Sequence, residues 1–504
     1  MIWRKPLLRN TCWNFAGSLA PILVAVFVIP PLILKLGDER FGVLAVGWVV
    51  MGYFVLSDLG LGRATTKYLS EACQKCDATA ERDTMWTSMA AHLVLGLVGG
   101  GLFAAITPFA VRYVFNIPAE LQQETIEGFY WLAASIPVLL ATSCLRGILE
   151  AHHRFDLVNV LRIPTVSINY LIPFLVLAVS RNLSHILAAI FVARVGGVIA
   201  HLMCVQRIIS NVRARIHFST DVLGTLFKFG GWLAVSSLVT PIILFADRIF
   251  VATLFGPASV TYYVTPYEVV TKLWILSASL LGALFPVLSV MQPTSPEVGK
   301  LARKVFLVLL MLAAPVVGVL LAYSRDLLTL WISPELAAQS GTVAKWLALG
   351  VLINILAQVP LTILQATGNP FIVARLQVIQ LPAYLLVAWW LSRKFGTVGI
   401  AMAWALRAAI EAILLQAAAR RWTAIGDIRL TWQSAIAGAI VAMFLGTAWF
   451  VDTIWRFDPV PRALVFSAVF AAYMVWQWRV LLDPADRLEI LRLLKVRVSS
   501  RTTV

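Results

Sequence analysis

Residues 13–62 read WNFAGSLAPILVAVFVIPPLILKLGDERFGVLAVGWVVMGYFVLSDLGLG, and this stretch decides the fold. Two apolar runs flank a short polar corner, GDER at 37–40, and the second run ends in DLGLG at 58–62. A helix needs about 20 apolar residues to cross a hydrocarbon core of about 30 Å, and each run reaches that length. The stretch therefore predicts a transmembrane helical hairpin.

The composition of the whole chain agrees with a membrane protein. Apolar residues make up 60% of the 504 residues, and charged residues make up 13%. Soluble proteins average about 45–50% apolar and about 25% charged residues. The apolar runs are continuous, whereas the strands of a membrane barrel alternate apolar and polar positions. We therefore predict an all-α, polytopic integral membrane protein.

Apolar runs of about 20 residues predict about fourteen transmembrane helices, the second of them near residues 41–62. A weak internal repeat divides them. At an offset of 219 residues Trp13 aligns with Trp232, and LG at 36–37 aligns with FG at 255–256. Near an offset of 215, ILEA at 148–151 aligns with ILQA at 363–366.

The repeat predicts two six-helix lobes, residues 1–215 and 216–425. Because each lobe has an even number of helices, both lobes begin on the same side of the membrane, and the repeat is parallel. The two lobes are then expected to face each other across a central cavity. Residues 426–504 add two further transmembrane helices and a basic cytoplasmic tail.

The net charge of +16 lies mostly in short loops on one side of the predicted spans. Basic residues in short loops orient a membrane protein with those loops in the cytoplasm, so both termini are predicted to be cytoplasmic. This placement argues against a nucleic-acid partner. The short loops also leave no room for a soluble catalytic domain.

Ionisable residues inside predicted spans mark candidate sites, because each costs about 2.5–3.5 kcal/mol at a helix centre. The strongest group is Asp247, Arg248, Glu268 and Lys272, in the seventh and eighth spans. Glu268 and Lys272 are four residues apart and share a helical face. One interpretation is a polar, partly cationic cavity wall that binds substrate. The alternative is a structural ion network that satisfies itself.

Three further positions carry charge in or beside the spans. Arg194 lies in the sixth span, and Arg407 pairs with Glu411 in the twelfth. For these, substrate contact and a structural role between helices are both open. Asp58 and Arg63 flank the glycines at the end of the second span, where a gate or a plain charged helix terminus would explain them.

The sequence supplies no catalytic or cofactor motif. It contains no phosphate-binding GxxxxGK[ST] loop, no HExxH and no GxSxG. The CQKC at 73–76 has no second ligand pair at usable spacing, and the pair His152-His153 is predicted to be a surface doublet without carboxylate support. We therefore predict a transporter without cofactor, metal or catalytic residues.

Several motifs resemble the oligosaccharide flippases of polysaccharide biosynthesis, a family in one superfamily with multidrug and toxin extrusion transporters and the lipid II flippase. The resemblance covers the first twelve spans and is patchy. Its motifs are IP at 29–30, LG at 36–37, FG at 41–42, SDLGLG at 57–62, GILEA at 147–151, RFD at 154–156, DRI at 247–249 and LFG at 254–256.

The resemblance implies that the protein moves an undecaprenyl-pyrophosphate-linked oligosaccharide from the cytoplasmic to the periplasmic leaflet of the bacterial inner membrane. Its partners are then this lipid-linked substrate and the bilayer, with the polymerase and glycosyltransferases of the same pathway as candidate protein partners. The mechanism implied is alternating access, by rocking of one lobe against the other.

Two rival functions remain at this point. A multidrug-type cation antiporter would use the same fold, but it requires a net acidic cavity, and the buried groups here lean basic. An integral-membrane polymerase or glycosyltransferase usually needs a sizeable external loop or an acidic catalytic pair, which the short loops do not provide.

Overall fold

The computed structural model is built of helices, and its described residues contain no strand. The structure describes residues 5–479 without positions 57, 76, 153, 209–216, 290, 293–294, 424–431, 455–458 and 478. The predicted basic tail, Cys76 and His153 lie outside the described residues. The all-α fold class is confirmed.

The helices are numbered in chain order, and α4 continues into a π-helical turn at Ala110–Val114. They are α1 Lys5–Leu36, α2 Asp38–Leu56, α3 Leu61–Gln74, α4 Ala78–Phe109, α5 Ala119–Ala151, α6 Phe155–Val176, α7 Leu183–Ile208, α8 Thr220–Val270, α9 Trp274–Ser289, α10 Pro296–Trp331, α11 Pro334–Ala366, α12 Pro370–Trp422, α13 Trp432–Ile454 and α14 Pro459–Trp476.

The helices account for the predicted number of membrane crossings. Within the described residues, nine segments are long and apolar enough to cross a membrane, and three apolar helices are shorter. Two of the nine segments contain a break, at Gly256 in α8 and at Gly396 in α12, where the backbone leaves the helical conformation. Because each break separates two predicted spans, the total agrees with the fourteen expected from the sequence.

The two corners that the repeat aligns have the same backbone conformation. Gly37 has φ +79° and Gly256 has φ +78°, a left-handed region that glycine enters without a steric penalty. A second match concerns α5 and α11, which are both 33 residues long. The first follows Pro118, and the second begins at Pro334. The two halves of the chain are thus alike in their corner glycines and in the length of these two helices.

One helix differs from the sequence expectation. The predicted second span runs to residue 62, whereas α2 ends at Leu56 and α3 follows as a separate helix of 14 residues. Its buried positions recur every three or four residues, while Arg63, Lys67 and Glu71 lie on the opposite side. The charges that made this segment look like a loop are the polar face of an amphipathic helix.

The chain divides into two compact units. The first unit comprises Met1–Val269 and Gln377–Ala403, and the second comprises Val270–Leu376 and Trp404–Val504. In the first, α5 packs along α4 and α7, and α1 packs along α6. In the second, α10 packs along α11 and α13. The predicted lobe boundaries at residues 215 and 425 stay a prediction.

An ion network inside the second unit holds the C-terminal helices to α10 and α11. Asp452 of α13 bonds Lys345 of α11 at 2.6 Å and Arg462 of α14 at 3.2 Å. Arg462 also bonds Asp326 of α10 at 2.7 Å. Lys345, Asp452 and Arg462 are all buried, so each charge needs these partners.

Candidate substrate site

Four of the predicted substrate-binding residues lie in the first unit, on α7 and α8. They are Arg194 on α7 and Asp247, Arg248 and Glu268 on α8. Arg194 and Arg248 are each 5% exposed, and Asp247 is fully buried. Charges buried this deeply are stable only with strong local partners, so their contacts decide what the site can do.

Asp247 and Arg248 are held by aromatic residues of the second half of α8. Tyr263 donates its hydroxyl hydrogen to Asp247 Oδ2 at 2.9 Å, and the Arg248 amide donates to Asp247 Oδ1 at 2.9 Å. The Arg248 guanidinium carbon lies 3.7 Å from the centre of the Tyr267 ring and 5.2 Å from that of Phe245. Arg248 Nε has no hydrogen-bond acceptor among the described residues. Stacking on aromatic faces therefore leaves this donor available.

Arg194 is a buried cation with neutral partners. One Nη donates to Asn169 Oδ1 at 2.7 Å, and the other lies 3.0 Å from Met51 Sδ. Within the described residues, no carboxylate forms an ion pair with it. An arginine buried in a membrane-spanning helix without a counter-charge is costly, which makes it a strong candidate for binding an anionic ligand.

Aromatic and polar groups of α2 and α6 lie between these charges. Tyr170 on α6 follows Asn169 in the chain, and its hydroxyl donates to Glu268 Oε2 at 3.4 Å. The Tyr170 ring lies edge-on to Trp48 of α2 at 5.2 Å, and Trp48 Nε1 is buried without an acceptor among the described residues. Such groups suit a ligand rich in hydroxyls, because an indole N–H donates a hydrogen bond and its ring packs on an apolar face.

Two adjacent residues of α2 connect the two arginines. Met51 contacts Arg194, and a Cβ atom added to Gly52 would lie 2.6 Å from the Phe245 ring. Phe245 in turn packs against Arg248. Arg194 therefore contacts this turn of α2 through Met51, and Arg248 is linked to the same turn through Phe245.

Lys272 and Arg407 lie in the second unit. Lys272 falls in the 3₁₀ turn Thr271–Leu273 that interrupts the helix after α8, and its predicted pairing with Glu268 stays a prediction. Arg407 bonds Glu411 at 2.8 Å, as their spacing predicts, and both are buried. Arg407 also lies 5.8 Å from the centre of the Trp404 ring.

Asp58 caps a helix in this structure. Its two carboxylate oxygens accept hydrogen bonds from the amides of Gly60 at 3.0 Å and Gly62 at 3.1 Å, at the start of α3. Arg63 is exposed. The contacts of Asp58 are those of a helix terminus, and the gating role of the pair stays a prediction.

A set of contacts joins the two glycine corners and was not predicted from the sequence. We call these the corner contacts. Tyr262 donates its hydroxyl hydrogen to Asp38 Oδ2 at 2.6 Å, and Thr261 donates to the Asp38 carbonyl at 2.6 Å. A Cβ atom on Gly42 would overlap the Pro257 carbonyl. The signal that could have found them is the glycine at 42, which allows two backbones to approach closely.

Comparison with known proteins gives the chain its family. Residues 7–292, more than half of the chain, match the family described as polysaccharide biosynthesis protein. A Shigella flexneri protein named "Putative O-antigen transporter" is 28% identical over 410 residues, which cover 81% of this chain and 97% of that protein. A Salmonella typhi protein of the same name is 23% identical over 285 residues, covering 54% of this chain and 62% of that protein.

Solved structures show the same fold at low sequence identity. The lipid II flippase MurJ in an inward closed conformation has a TM-score of 0.68 and 13% identity, covering 94% of this chain and all of that one. An inward-facing multidrug resistance MATE family transporter of the MOP superfamily has a TM-score of 0.65 and 14% identity, covering 82% and 96%. The fold is therefore shared with these transporters, and the chain belongs to the polysaccharide biosynthesis protein family.

Proposed function

We propose that this protein is a flippase for an undecaprenyl-pyrophosphate-linked oligosaccharide, moving it from the cytoplasmic to the periplasmic leaflet of a bacterial inner membrane. The family, the names of the relatives and the fold of the lipid II flippase support this assignment. The protein then acts as a transporter rather than an enzyme, with both termini in the cytoplasm. Its products supply O-antigen, capsule or exopolysaccharide synthesis.

Such a substrate needs a protein because its headgroup cannot enter hydrocarbon. Each polar group that loses water without a new partner costs about 2–7 kcal/mol, and an oligosaccharide carries many hydroxyls. Moving two negative charges outward also runs with an inside-negative potential, which contributes about 5 kcal/mol at 100 mV. The protein's task is thus to solvate the headgroup during the crossing.

The observation that carries the proposal is the environment of Arg194. This cation is 5% exposed and is held by an amide oxygen and a thioether sulfur. A phosphate oxygen would replace these neutral partners with a charge-assisted hydrogen bond, which is about twice as strong. We assign pyrophosphate or acidic-sugar contacts to Arg194 and Arg248, with Asp247 and Glu268 fixing the local geometry.

Lys272 and Arg407 of the second unit complete the proposed substrate contacts. Both come from the sequence prediction, and Arg407 has an internal partner in Glu411. An anion at Arg407 would have to compete with the carboxylate that is already bonded to it.

The corner contacts support alternating access. They join Asp38 of the first predicted lobe to Tyr262 and Thr261 of the second, so rocking of the lobes must break them. Under the predicted topology both corners face the periplasm. We therefore propose that the corner contacts close the periplasmic side while the substrate binds from the cytoplasm.

A liposome assay tests the assignment of Arg194 directly. The purified protein is reconstituted with a fluorescent undecaprenyl-pyrophosphate oligosaccharide, and an impermeant quencher reports the fraction moved between leaflets. We expect Arg194→Gln to slow transport at least about tenfold, since loss of a charged hydrogen bond costs about 1.5–3 kcal/mol. Arg194→Lys should keep part of the rate.

The matched control is Arg112→Gln, which removes an exposed arginine from the turn after α4 and should leave transport unchanged. Folded protein is verified for every variant by size-exclusion profile before reconstitution. If Arg194→Gln and Arg248→Gln both transport at the wild-type rate, the site assignment is wrong.

The cation antiporter on the same fold is the second candidate, favoured by the buried carboxylate of Asp247. An antiporter for cationic drugs needs a net acidic site, however. In this site the two carboxylates, Asp247 and Glu268, are balanced by two cations, Arg194 and Arg248. Overexpression should therefore leave susceptibility to cationic drugs unchanged, and a clear rise in resistance would favour the antiporter.

A further inference from the structure

Three helix ends of the first unit bring together a cysteine, a glutamate and a histidine that the transport proposal does not use. Cys73 lies in the last turn of α3, Glu81 in the first turn of α4, and His152 directly after α5. Their ligand atoms all lie within 4.8 Å of one another. In the sequence Cys73 and Glu81 are far from His152, so only the fold reveals this group.

Two of the three distances between the ligand atoms agree with a tetrahedral metal site. Cys73 Sγ lies 3.7 Å from His152 Nε2, which lies 3.0 Å from Glu81 Oε1. Around a zinc ion with Zn–S of about 2.3 Å and Zn–N and Zn–O of about 2.0 Å, the corresponding separations are about 3.5 Å and about 3.3 Å. Each observed distance is within about 0.3 Å of that geometry.

The imidazole of His152 is oriented as in a metal site. Its Nδ1 donates to the Ile148 carbonyl at 3.0 Å, which directs Nε2 towards the cysteine and the glutamate. Metal-binding histidines usually donate their second ring N–H to a carbonyl or carboxylate in this way. With Nδ1 as the donor, the lone pair of Nε2 faces the Glu81 carboxylate, and a cation between them satisfies both groups.

The surroundings also suit a metal. The three ligands are partly buried, and Cys73 packs against a cluster of buried apolar side chains that includes Leu69, Met85 and Ile148. Apolar side chains next to the ligands lower the local dielectric constant, and this strengthens the attraction between a thiolate and a divalent cation. The combination of thiolate, imidazole and carboxylate selects zinc-type ions over calcium or magnesium, which prefer oxygen ligands.

We propose that Cys73, Glu81 and His152 form a binding site for a divalent zinc-type metal ion, with water in the fourth position. The ion would join the ends of α3, α4 and α5. The contact with Glu81 corrects one expectation from the sequence, which was that His152 lacks carboxylate support. The expectation that the CQKC segment binds no metal stays a prediction, and this proposal opposes it. The site does not depend on the proposed transport function.

Cobalt is the probe for the experiment, because a thiolate bound to Co²⁺ gives a charge-transfer absorption band. The full-length protein in detergent is stripped with a chelator, titrated with Co²⁺, and then competed with Zn²⁺. We expect one equivalent of Co²⁺ with a thiolate band in the wild type. Cys73→Ser should remove the band, and Glu81→Gln or His152→Gln should weaken binding by at least about 100-fold.

Three matched variants serve as controls. Glu71→Gln alters an exposed carboxylate on α3, His185→Gln alters an exposed histidine at the start of α7, and Cys144→Ala removes a buried thiol of α5. All three should bind Co²⁺ as the wild type does. Zn²⁺ should raise the melting temperature of the wild type and of the controls, and leave that of Cys73→Ser unchanged.

The alternative is a doubly protonated His152 that donates directly to Glu81. It predicts no cobalt band in the wild type and no effect of Zn²⁺ on the melting temperature, and either result on folded protein overturns the proposal. Retention of the band in Cys73→Ser would also overturn it, because the thiolate would then come from elsewhere in the chain. The melting temperature of each variant without metal verifies that it is folded.

Discussion

The two hairpins that meet at Gly37 and Gly256 have the same corner and different interiors. At the offset of 219 residues, Val28 and Ile29 of α1 align with Asp247 and Arg248 of α8. All four are buried, at 8%, 2%, 0% and 5% exposure. The hairpin therefore forms equally well around two aliphatic residues. The hairpin backbone therefore does not need the two charges of the second copy. Because burying them in the membrane costs free energy, their presence favours a functional role.

The largest effect is expected from placing the charge in the wrong copy. Ile29→Arg buries a cation in the apolar environment of α1. The aligned position in the second copy has Tyr267 and Asp247 beside its arginine, and the described residues of α1 include no such partners. An unpartnered buried charge costs about 3–5 kcal/mol. We expect little or no folded protein, measured by the fluorescence-detected size-exclusion profile of a tagged fusion.

Ile29→Val is the control, since losing one buried methylene costs about 0.5–1.5 kcal/mol. The mirror variant Asp247→Val with Arg248→Ile copies the pair Val28 and Ile29 and leaves no buried charge behind, so it should fold as well as the wild type and fail only in transport. A monodisperse Ile29→Arg protein at normal yield would mean that both hairpins accept charge, and the comparison would then carry no functional information.

Much of this comparison could be predicted from the sequence. Continuous apolar runs predict the helices, and weak matches at offsets near 219 and 215 predict a repeat, whose two corner glycines have the same backbone conformation in the structure. These features are local, because each depends on residues within one hairpin. Arg407 with Glu411 was predictable for the same reason, being one helical turn apart.

Features that depend on distant residues were not predictable. Asp452 and Lys345 are separated by about a hundred residues, and nothing in either segment indicates that the other will neutralise it. The same holds for Cys73 and His152. Helix α3 was missed for a different reason, since its charged face resembles the basic loops that orient membrane proteins.

The next effect concerns the closeness of the two corners. Gly42→Ala adds a methyl group that would overlap the Pro257 carbonyl, and backbone cannot move aside as a side chain can. Overpacking of this kind costs about 1–3 kcal/mol. We expect the corner contacts to separate, so that a cysteine introduced at Ala258, which lies beside Asp38 and Tyr262, reacts faster with an impermeant maleimide.

Gly101→Ala is the control, because a Cβ atom there meets no other atom within 4 Å. Both glycines lie in helices, so the control corrects for the change in helix propensity. Equal labelling rates in the two variants would show that the corner remains closed despite the overlap, and would argue against its role as a gate.

A smaller effect is expected from a single hydrogen bond at the corner. Tyr262→Phe removes the hydroxyl that donates to Asp38 at 2.6 Å and leaves the ring in place. A hydrogen bond to a charged group contributes about 1.5–3 kcal/mol, and this one is only part-buried, which places it at the low end. We expect a several-fold rise in maleimide labelling of the cysteine at Ala258. Tyr113→Phe, a change to an exposed ring in the turn after α4, should have no effect on that rate.

The smallest effect is the difference between the two corner glycines themselves. Alanine in the left-handed region costs about 1–2 kcal/mol, so Gly37→Ala and Gly256→Ala should each lower the melting temperature. A Cβ atom at Gly37 meets nothing within 4 Å, and one at Gly256 makes only an ordinary contact with the Asn116 carbonyl at 3.4 Å. Because sterics add little at either site, the two decreases should agree closely. A much larger decrease for one variant would show that the stability of its corner depends on contacts with neighbouring residues. The shared backbone conformation would then not be what makes the two hairpins equivalent.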